Sequence, residues 1–264
     1  MDLDTLSKKA YDARLKCAEL CILKGKGHLT SVLSCAEIVA TLYYHVMNLD
    51  RDRFVMSKNH GSAITYPILC DLGFISEELL NSYQDDGSVL GTHSRVVVPG
   101  VDFAGGSLGI GLGVACGYSI ALKTDGKSSL GFCLVGDCEC HEGSIWESIM
   151  FAGHNHLDNL IMIIDQNGEG STDFVENLVD LRPLSEKLNA FGWDTFDVSD
   201  GHNLEELTDA FAILKNRTSD KPLCFIINTI KGHGIPFMEH VPWLHGSVPK
   251  GEKGDLALEY IRGL

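Results

Sequence analysis

SLGFCLVGDCECHEGSIWESIMFAGHNHLDNLIMIIDQNGEGS, residues 129–171, holds two apolar runs, SLGFCLV (129–135) and NLIMIID (159–165), each followed at once by polar residues. Runs that are apolar throughout predict strands buried on both faces, and the helix-like stretch between them, about 144–156, predicts a βαβ unit. A parallel sheet covered by helices on both faces follows, which is an α/β fold. Ligands in such sheets bind at the carboxyl ends of strands, so GDCECHEGS (136–144) and DQNGEGS (165–171) form the candidate site.

The rest of the chain has the same grammar. Leu6, Ala10, Ala13, Cys17, Leu20 and Cys21 recur at steps of three and four and predict a helix over 3–24. A second helix follows Ser34, with Ile38, Val39, Leu42, Tyr43 and Val46 on one face. Further helices are expected near 184–191 and over 203–215, with strands around 193–198 and 222–230. No repeat, low-complexity tract or Pro/Ser-rich linker interrupts the 264 residues, so one domain over 1–264 is expected, with a looser tail after Lys231.

Charge and cysteine usage narrow the function class. Twenty-one Lys and Arg against 36 Asp and Glu give a formal charge of -15, which argues against nucleic acid or an anionic membrane as partner. A phosphorylated ligand would then need a metal ion or backbone amides. The start, MDLDTLSKKAYDARLK, is charged and amphipathic without the pattern of a secretory signal. The nine cysteines are an odd number, and Cys17, Cys21, Cys35, Cys70, Cys116, Cys133 and Cys224 lie in apolar surroundings, as reduced core residues do. A cytoplasmic protein is expected. The uncharged run FAGGSLGIGLGVACGYSIAL (103–122) has the length of a membrane span, but its six glycines predict a buried helix or, at Gly105-Gly106, a phosphate-cradling loop.

Asn167 follows Asp137 by 30 residues, each just past a strand, and a βαβ unit returns the second strand end beside the first. A carboxylate, an amide oxygen and a nearby backbone carbonyl are hard ligands of the kind that hold magnesium together with water and phosphate oxygens. Such an ion would let a diphosphate approach Asp137, Glu139 and Glu142. Gly-Asp after a strand is also a common helix cap, and the spacing alone leaves both readings open. Cys138, Cys140 and His141 suggest zinc, but the second ligand pair that zinc sites use is missing.

GDCECHEGSIWESIMFAGHNHLDNLIMIIDQNG resembles the thiamine diphosphate motif, Gly-Asp-Gly followed after about thirty residues by Asn, in its transketolase form. The likeness extends to KGKGH (24–28), RFVMSKNHG (53–61), VDFAGGSLGIGLG (101–113), and KGHGIPFMEH with WLHG (231–246), in the family's order. The chain resembles the N-terminal, diphosphate-binding half of a transketolase, encoded as its own chain.

The resemblance implies thiamine diphosphate with Mg2+, or another divalent cation such as Ca2+ or Mn2+, as cofactors. It implies that Asp137, the Asn167 side chain and the Glu169 backbone carbonyl ligate the metal. Gly106 and Leu108 should lie along the thiamine, Gly136 and Cys138 beside the diphosphate, and Glu142 in an acidic link between two active sites. His28, His60, His93 and His245 match active-site histidines, with His60 and His245 also near the cofactor. Imidazoles suit the reaction, transfer of a two-carbon ketol unit from a ketose or ketose phosphate to an aldose, because hydroxyls must be oriented and their protons moved near neutral pH. His154, His156, His202, His233 and His240 match no role.

The family takes the acid that protonates the aminopyrimidine from a pyrimidine-binding domain. That domain is expected on a separate C-terminal subunit, in an α2β2 heterotetramer. The sequence departs from the family at Cys138 (Gly), at LTS after His28 (Pro-Gly-Gly), at Lys58-Asn59 before His60, and at Thr92 before His93. DQNGEGS is also more polar than usual after the Asn. Two competing readings are the α subunit of a 2-oxo acid dehydrogenase and a degenerate regulatory subunit that binds no cofactor.

Overall fold

The computed structural model describes residues 1–126 and 128–264. Five strands, β1 (Arg53–Met56), β2 (Gly131–Gly136), β3 (Leu160–Gln166), β4 (Asp194–Val198) and β5 (Leu223–Asn228), form one parallel sheet in the order β1-β2-β3-β5-β4. Alternation along each strand divides its side chains between two cores. Phe54, Met56, Phe132, Leu134, Ile161, Ile163, Phe225 and Ile227 face one core, where Ala13, Cys17 and Cys21 of the helix Leu3–Lys24 pack with Ala257 and Ile261 of the helix Glu252–Arg262. Val55, Cys133, Val135, Met162, Ile164, Cys224 and Ile226 face the other, against the helices Gly111–Thr124 and Gly143–His154. The expected two-sided α/β architecture is thus present.

The long first helix is bounded by local chemistry. The Asp2 carboxylate accepts the Thr5 N–H at 2.8 Å, and Gly25 ends the helix in the left-handed region, φ 61°. The second expected helix, after Ser34, is present as Ala36–Thr41 continued by a π-turn over Leu42–Val46, and a separate short helix, Leu29–Ser34, precedes it.

Three expectations are corrected. RFVM, in the sequence only part of a motif, is strand β1, paired residue for residue with Gly131–Leu134. Residues 103–110 are not helical, and the helix begins at Gly111. The reason lies in Gly109, whose φ of +84° no ordinary helix contains, and whose added Cβ would sit 2.5 Å from Ser144 Oγ. That helix is also not buried all round, since Gly113, Gly117 and Ile120 are exposed or half-exposed. Among the described residues no helix is long and apolar enough to cross a membrane. Finally, β4 is a sheet edge with Phe196 and Asp197 exposed, rather than an apolar interior strand. The ends of β1, β2, β3 and β5 therefore line up, and the polar chemistry lies beyond them.

Candidate active site

The carboxyl ends of four neighbouring strands deliver Lys58 (β1), Asp137 (β2), Asp165 and Asn167 (β3), and Lys231 (β5) to one place. Asp137 ties two of these ends together: its Oδ1 accepts the Cys138 N–H at 2.8 Å and its Oδ2 the Gly168 N–H at 2.7 Å. Asn167 Nδ2 donates to Ser34 Oγ at 3.1 Å, and Asn167 Oδ1 accepts the Glu169 N–H at 3.1 Å. Each of these oxygens keeps a second lone pair. The Glu169 carbonyl accepts from Lys231 Nζ at 3.3 Å.

Burial pushes the Asp137 carboxyl up to about 6, and Asp165 adds to the effect, although the Gly168 N–H opposes it. A buried acid held this way gains from a counter-charge, which a divalent cation would provide. The donor set of carboxylate, amide oxygen and carbonyl fits such an ion. It does not fit zinc: the Cys140 thiol donates to the Gly136 carbonyl at 3.5 Å, His141 Nε2 pairs with the Val179 carbonyl at 2.8 Å, and among the described residues no group of three or more His, Cys, Asp or Glu is arranged to hold a metal ion.

Beneath this spot lies a pair that sequence reasoning misses. Lys58 and Asp165 form a fully buried ion pair, and Asp165 also accepts from Ser34 Oγ and Thr229 Oγ1. Burial alone would lower the Lys58 pKa, but the Asp165 carboxylate outweighs it and raises the group above its usual range. A lysine just past one strand end and an aspartate closing an all-apolar strand are the available signals. Lys231 escapes the same reasoning. It is buried, its Nζ donates to the Glu169 and Gly170 carbonyls, and burial lowers it to about 8, with Lys58 adding to the effect.

The four predicted histidines converge. Ring centroids lie 5.3 Å apart for His28 and His60, 4.9 Å for His28 and His245, 4.8 Å for His60 and His245, and 6.1 Å for His28 and His93. Burial lowers all four pKa values, that of His245 to about 3, so each ring is neutral at physiological pH. Among the described residues His28 Nδ1 has no hydrogen-bond partner, and His245 Nδ1 faces Ser31 Oγ at 3.5 Å. The departure at Asn59 has a structural effect here: its side chain donates to Ser94 Oγ at 2.9 Å and accepts the Ser94 N–H at 2.8 Å, pinning the segment that carries His93.

A cavity of about 110 Å³ joins these groups, lined by His60, His245, Leu108, Gly136, Asp137, Cys138, Asn167, Glu169 and Lys231 among others. Four predicted residues fall outside its lining: His28 and His93, which reach it only through their neighbouring histidine rings, and Gly106 and Glu142. Gly106 has open space around it; the glycine that a close approach requires is Gly105, where an added Cβ would lie 2.5 Å from the Phe103 ring. Glu142 is exposed at the start of the helix Gly143–His154, while Glu139 is the buried acid, accepting the Gly109 N–H at 2.9 Å and the Gly136 N–H at 3.1 Å. Cys138 does line the cavity, with its thiol 3.8 Å from His141 Nδ1; burial and Asp137 raise its pKa and keep it protonated.

The family described as "Transketolase, thiamine diphosphate binding domain" matches residues 12–258. The chain belongs to the transketolase family. An apulose-4-phosphate transketolase subunit of Phocaeicola vulgatus is 33% identical over 269 residues, which cover 99% of this chain and 95% of that protein. Transketolase-like protein 2 of Homo sapiens is 37% identical over 270 residues, covering 98% of this chain but 42% of that protein. The crystal structure of transketolase from Campylobacter jejuni matches with a TM-score of 0.90 at 28% identity, over 99% of this chain and 43% of that one. This transketolase-family chain thus spans under half of some relatives and nearly all of others. The reading as a 2-oxo acid dehydrogenase subunit finds no favour in these likenesses.

Proposed function

We propose that residues 1–264 form the diphosphate-binding domain of a two-chain transketolase, completed by a C-terminal partner subunit in an α2β2 assembly. The supporting observation is extent: the chain is nearly coextensive with a relative named as one subunit of a transketolase, and it covers 42% of a longer relative. The proposed reaction is transfer of a two-carbon ketol unit from a ketose or ketose phosphate to an aldose.

In this reading Asp137, Asn167 Oδ1 and the Glu169 carbonyl hold Mg2+ or a similar divalent cation, and Lys231 adds a positive charge for the diphosphate. Thiamine diphosphate supplies, when bound, the carbon–carbon bond chemistry that side chains cannot perform. The chain's own task is to place substrate hydroxyls and move their protons. Neutral His28, His60, His93 and His245 can each accept a hydroxyl proton or donate one, and their mutual distances allow one substrate to touch several. The Lys58–Asp165 pair holds the floor of the cavity rigid. The test is calorimetric titration of thiamine diphosphate with Mg2+ into the assembled two-chain enzyme, followed by a ketose screen. No binding by the wild type, with or without its partner, would overturn the proposal and favour a regulatory subunit.

A further inference from the structure

Lys231 lies in the turn Ile230–Ile235, and the chain on either side of it is gripped by one polar network rooted far from the cavity. His202 Nε2 accepts the Ile230 N–H at 2.9 Å, and His202 Nδ1 meets Glu37 Oε2 at 2.9 Å. Arg14 completes the circuit: Nε donates to Glu37 Oε1 at 2.9 Å and Nη1 donates to the His233 carbonyl at 2.8 Å. The His202 and His233 rings stack with centroids 3.7 Å apart and planes at 14°. Lys231 is therefore bracketed by Ile230, held through its N–H, and His233, held through its carbonyl and its ring.

An amide N–H can only donate, so Nε2 of His202 is the bare nitrogen and Nδ1 carries the proton given to Glu37. Glu37 is ionised at neutral pH, its pKa lowered to about 2: burial pushes it up, but Arg14 and His202 together outweigh that. Arg14, Glu37 and His202 are themselves nearly inaccessible, with side chains 2%, 11% and 8% exposed. None of these three side chains lines the cavity. Their route to it is the backbone that carries Lys231, whose Nζ reaches across to the Glu169 and Gly170 carbonyls.

We infer that His202 is a positioning residue for Lys231: by accepting the Ile230 N–H in a fixed tautomer and stacking on His233, it aims the Lys231 ammonium at the anion in the cavity. This rests on the proposed role of the cavity in holding a diphosphate. His202→Phe keeps a ring to stack on His233 but leaves the Ile230 N–H without its acceptor and Glu37 Oε2 without its donor, while Arg14 still holds Glu37 Oε1. His202→Gln supplies an acceptor and a donor in one side chain and should restore both bonds.

The experiment is titration of the full chain with inorganic pyrophosphate in the presence of Mg2+, with folding of each variant checked by circular dichroism. His202→Phe is expected to bind about tenfold more weakly, the consequence of one misdirected charge-assisted contact. His202→Gln should recover most of that loss, and His202→Phe should cause no further loss in a Lys231→Met background. Full-strength binding by His202→Phe, an undiminished loss in the Lys231→Met background, or no rescue by a folded His202→Gln would each overturn the inference. If Lys231→Met itself binds as the wild type does, the cofactor role of Lys231 fails and this inference falls with it. Should His202→Phe not fold, nitrogen-15 NMR of the wild-type imidazoles decides: a protonated Nδ1 and bare Nε2 on His202 at neutral pH is expected, and the opposite tautomer or an imidazolium contradicts it.

Discussion

Lys58 Nζ and the Asp165 carboxylate meet in a pocket that solvent does not reach, with side chains 2% and 0% exposed, and so join the ends of β1 and β3 across β2. A pair in such a place matters most when half of it is removed. Lys58→Met is predicted to destabilise the protein by about 3–5 kcal/mol, because Asp165 is left buried and uncompensated. Replacing both, Lys58→Met with Asp165→Leu, should recover much of that loss. Urea denaturation midpoints measure both, and a single variant within about 1 kcal/mol of wild type would contradict this description.

Cation binding should be steeply pH-dependent. The Asp137 carboxyl must be ionised to ligate a metal, and its pKa without a metal is raised to about 6. Mg2+ affinity is thus predicted to fall as pH drops through about 6. The same raised pKa means that, without metal, Asp137 favours the folded state below its unfolded value, and that this advantage is lost as pH rises through about 6. Added Mg2+ should therefore raise the melting temperature more at pH above this window than below it. An equal shift on both sides would contradict the assignment. Asp137→Ala should abolish metal-dependent cofactor binding at every pH.

Much of this is legible in the sequence. β2 and β3 announce themselves through unbroken apolar runs, and the distance from Asp137 to Asn167 foretells that their ends meet. Family resemblance places the four histidines, whereas the distances between them come only from the fold. Lys58, Asp165 and Lys231 escape notice because a buried charge declares itself only through its partner, and the partners in the ion pair lie 107 residues apart. β1 is hidden because four residues, RFVM, are too few for a periodic signal. Gly106 and Gly105 look alike as neighbours until the Phe103 ring and Asn59 are seen to crowd only Gly105.

His245→Ala should leave the cofactor bound while lowering turnover by about 10²–10⁴-fold, the usual contribution of a positioned acid–base group. Its ring contacts His28 and His60 rather than the proposed metal ligands. Steady-state kinetics of the assembled enzyme, beside calorimetry of the cofactor, separates the two effects. Wild-type turnover would remove His245 from the proposed machinery.

Cys138→Gly is predicted to be tolerated, with cofactor affinity equal to or tighter than wild type, since the one hydrogen-bonding contact of its thiol among the described residues is His141 Nδ1 at 3.8 Å. Large loss of activity on this substitution would assign the cysteine a function that its surroundings do not reveal.

Native mass spectrometry of the protein captured from its own cells, with thiamine diphosphate and Mg2+ added, tests the central claim most directly. The prediction is a stoichiometric second chain, two copies of each, with cofactor retained. A homo-oligomer that carries neither partner nor cofactor would contradict it.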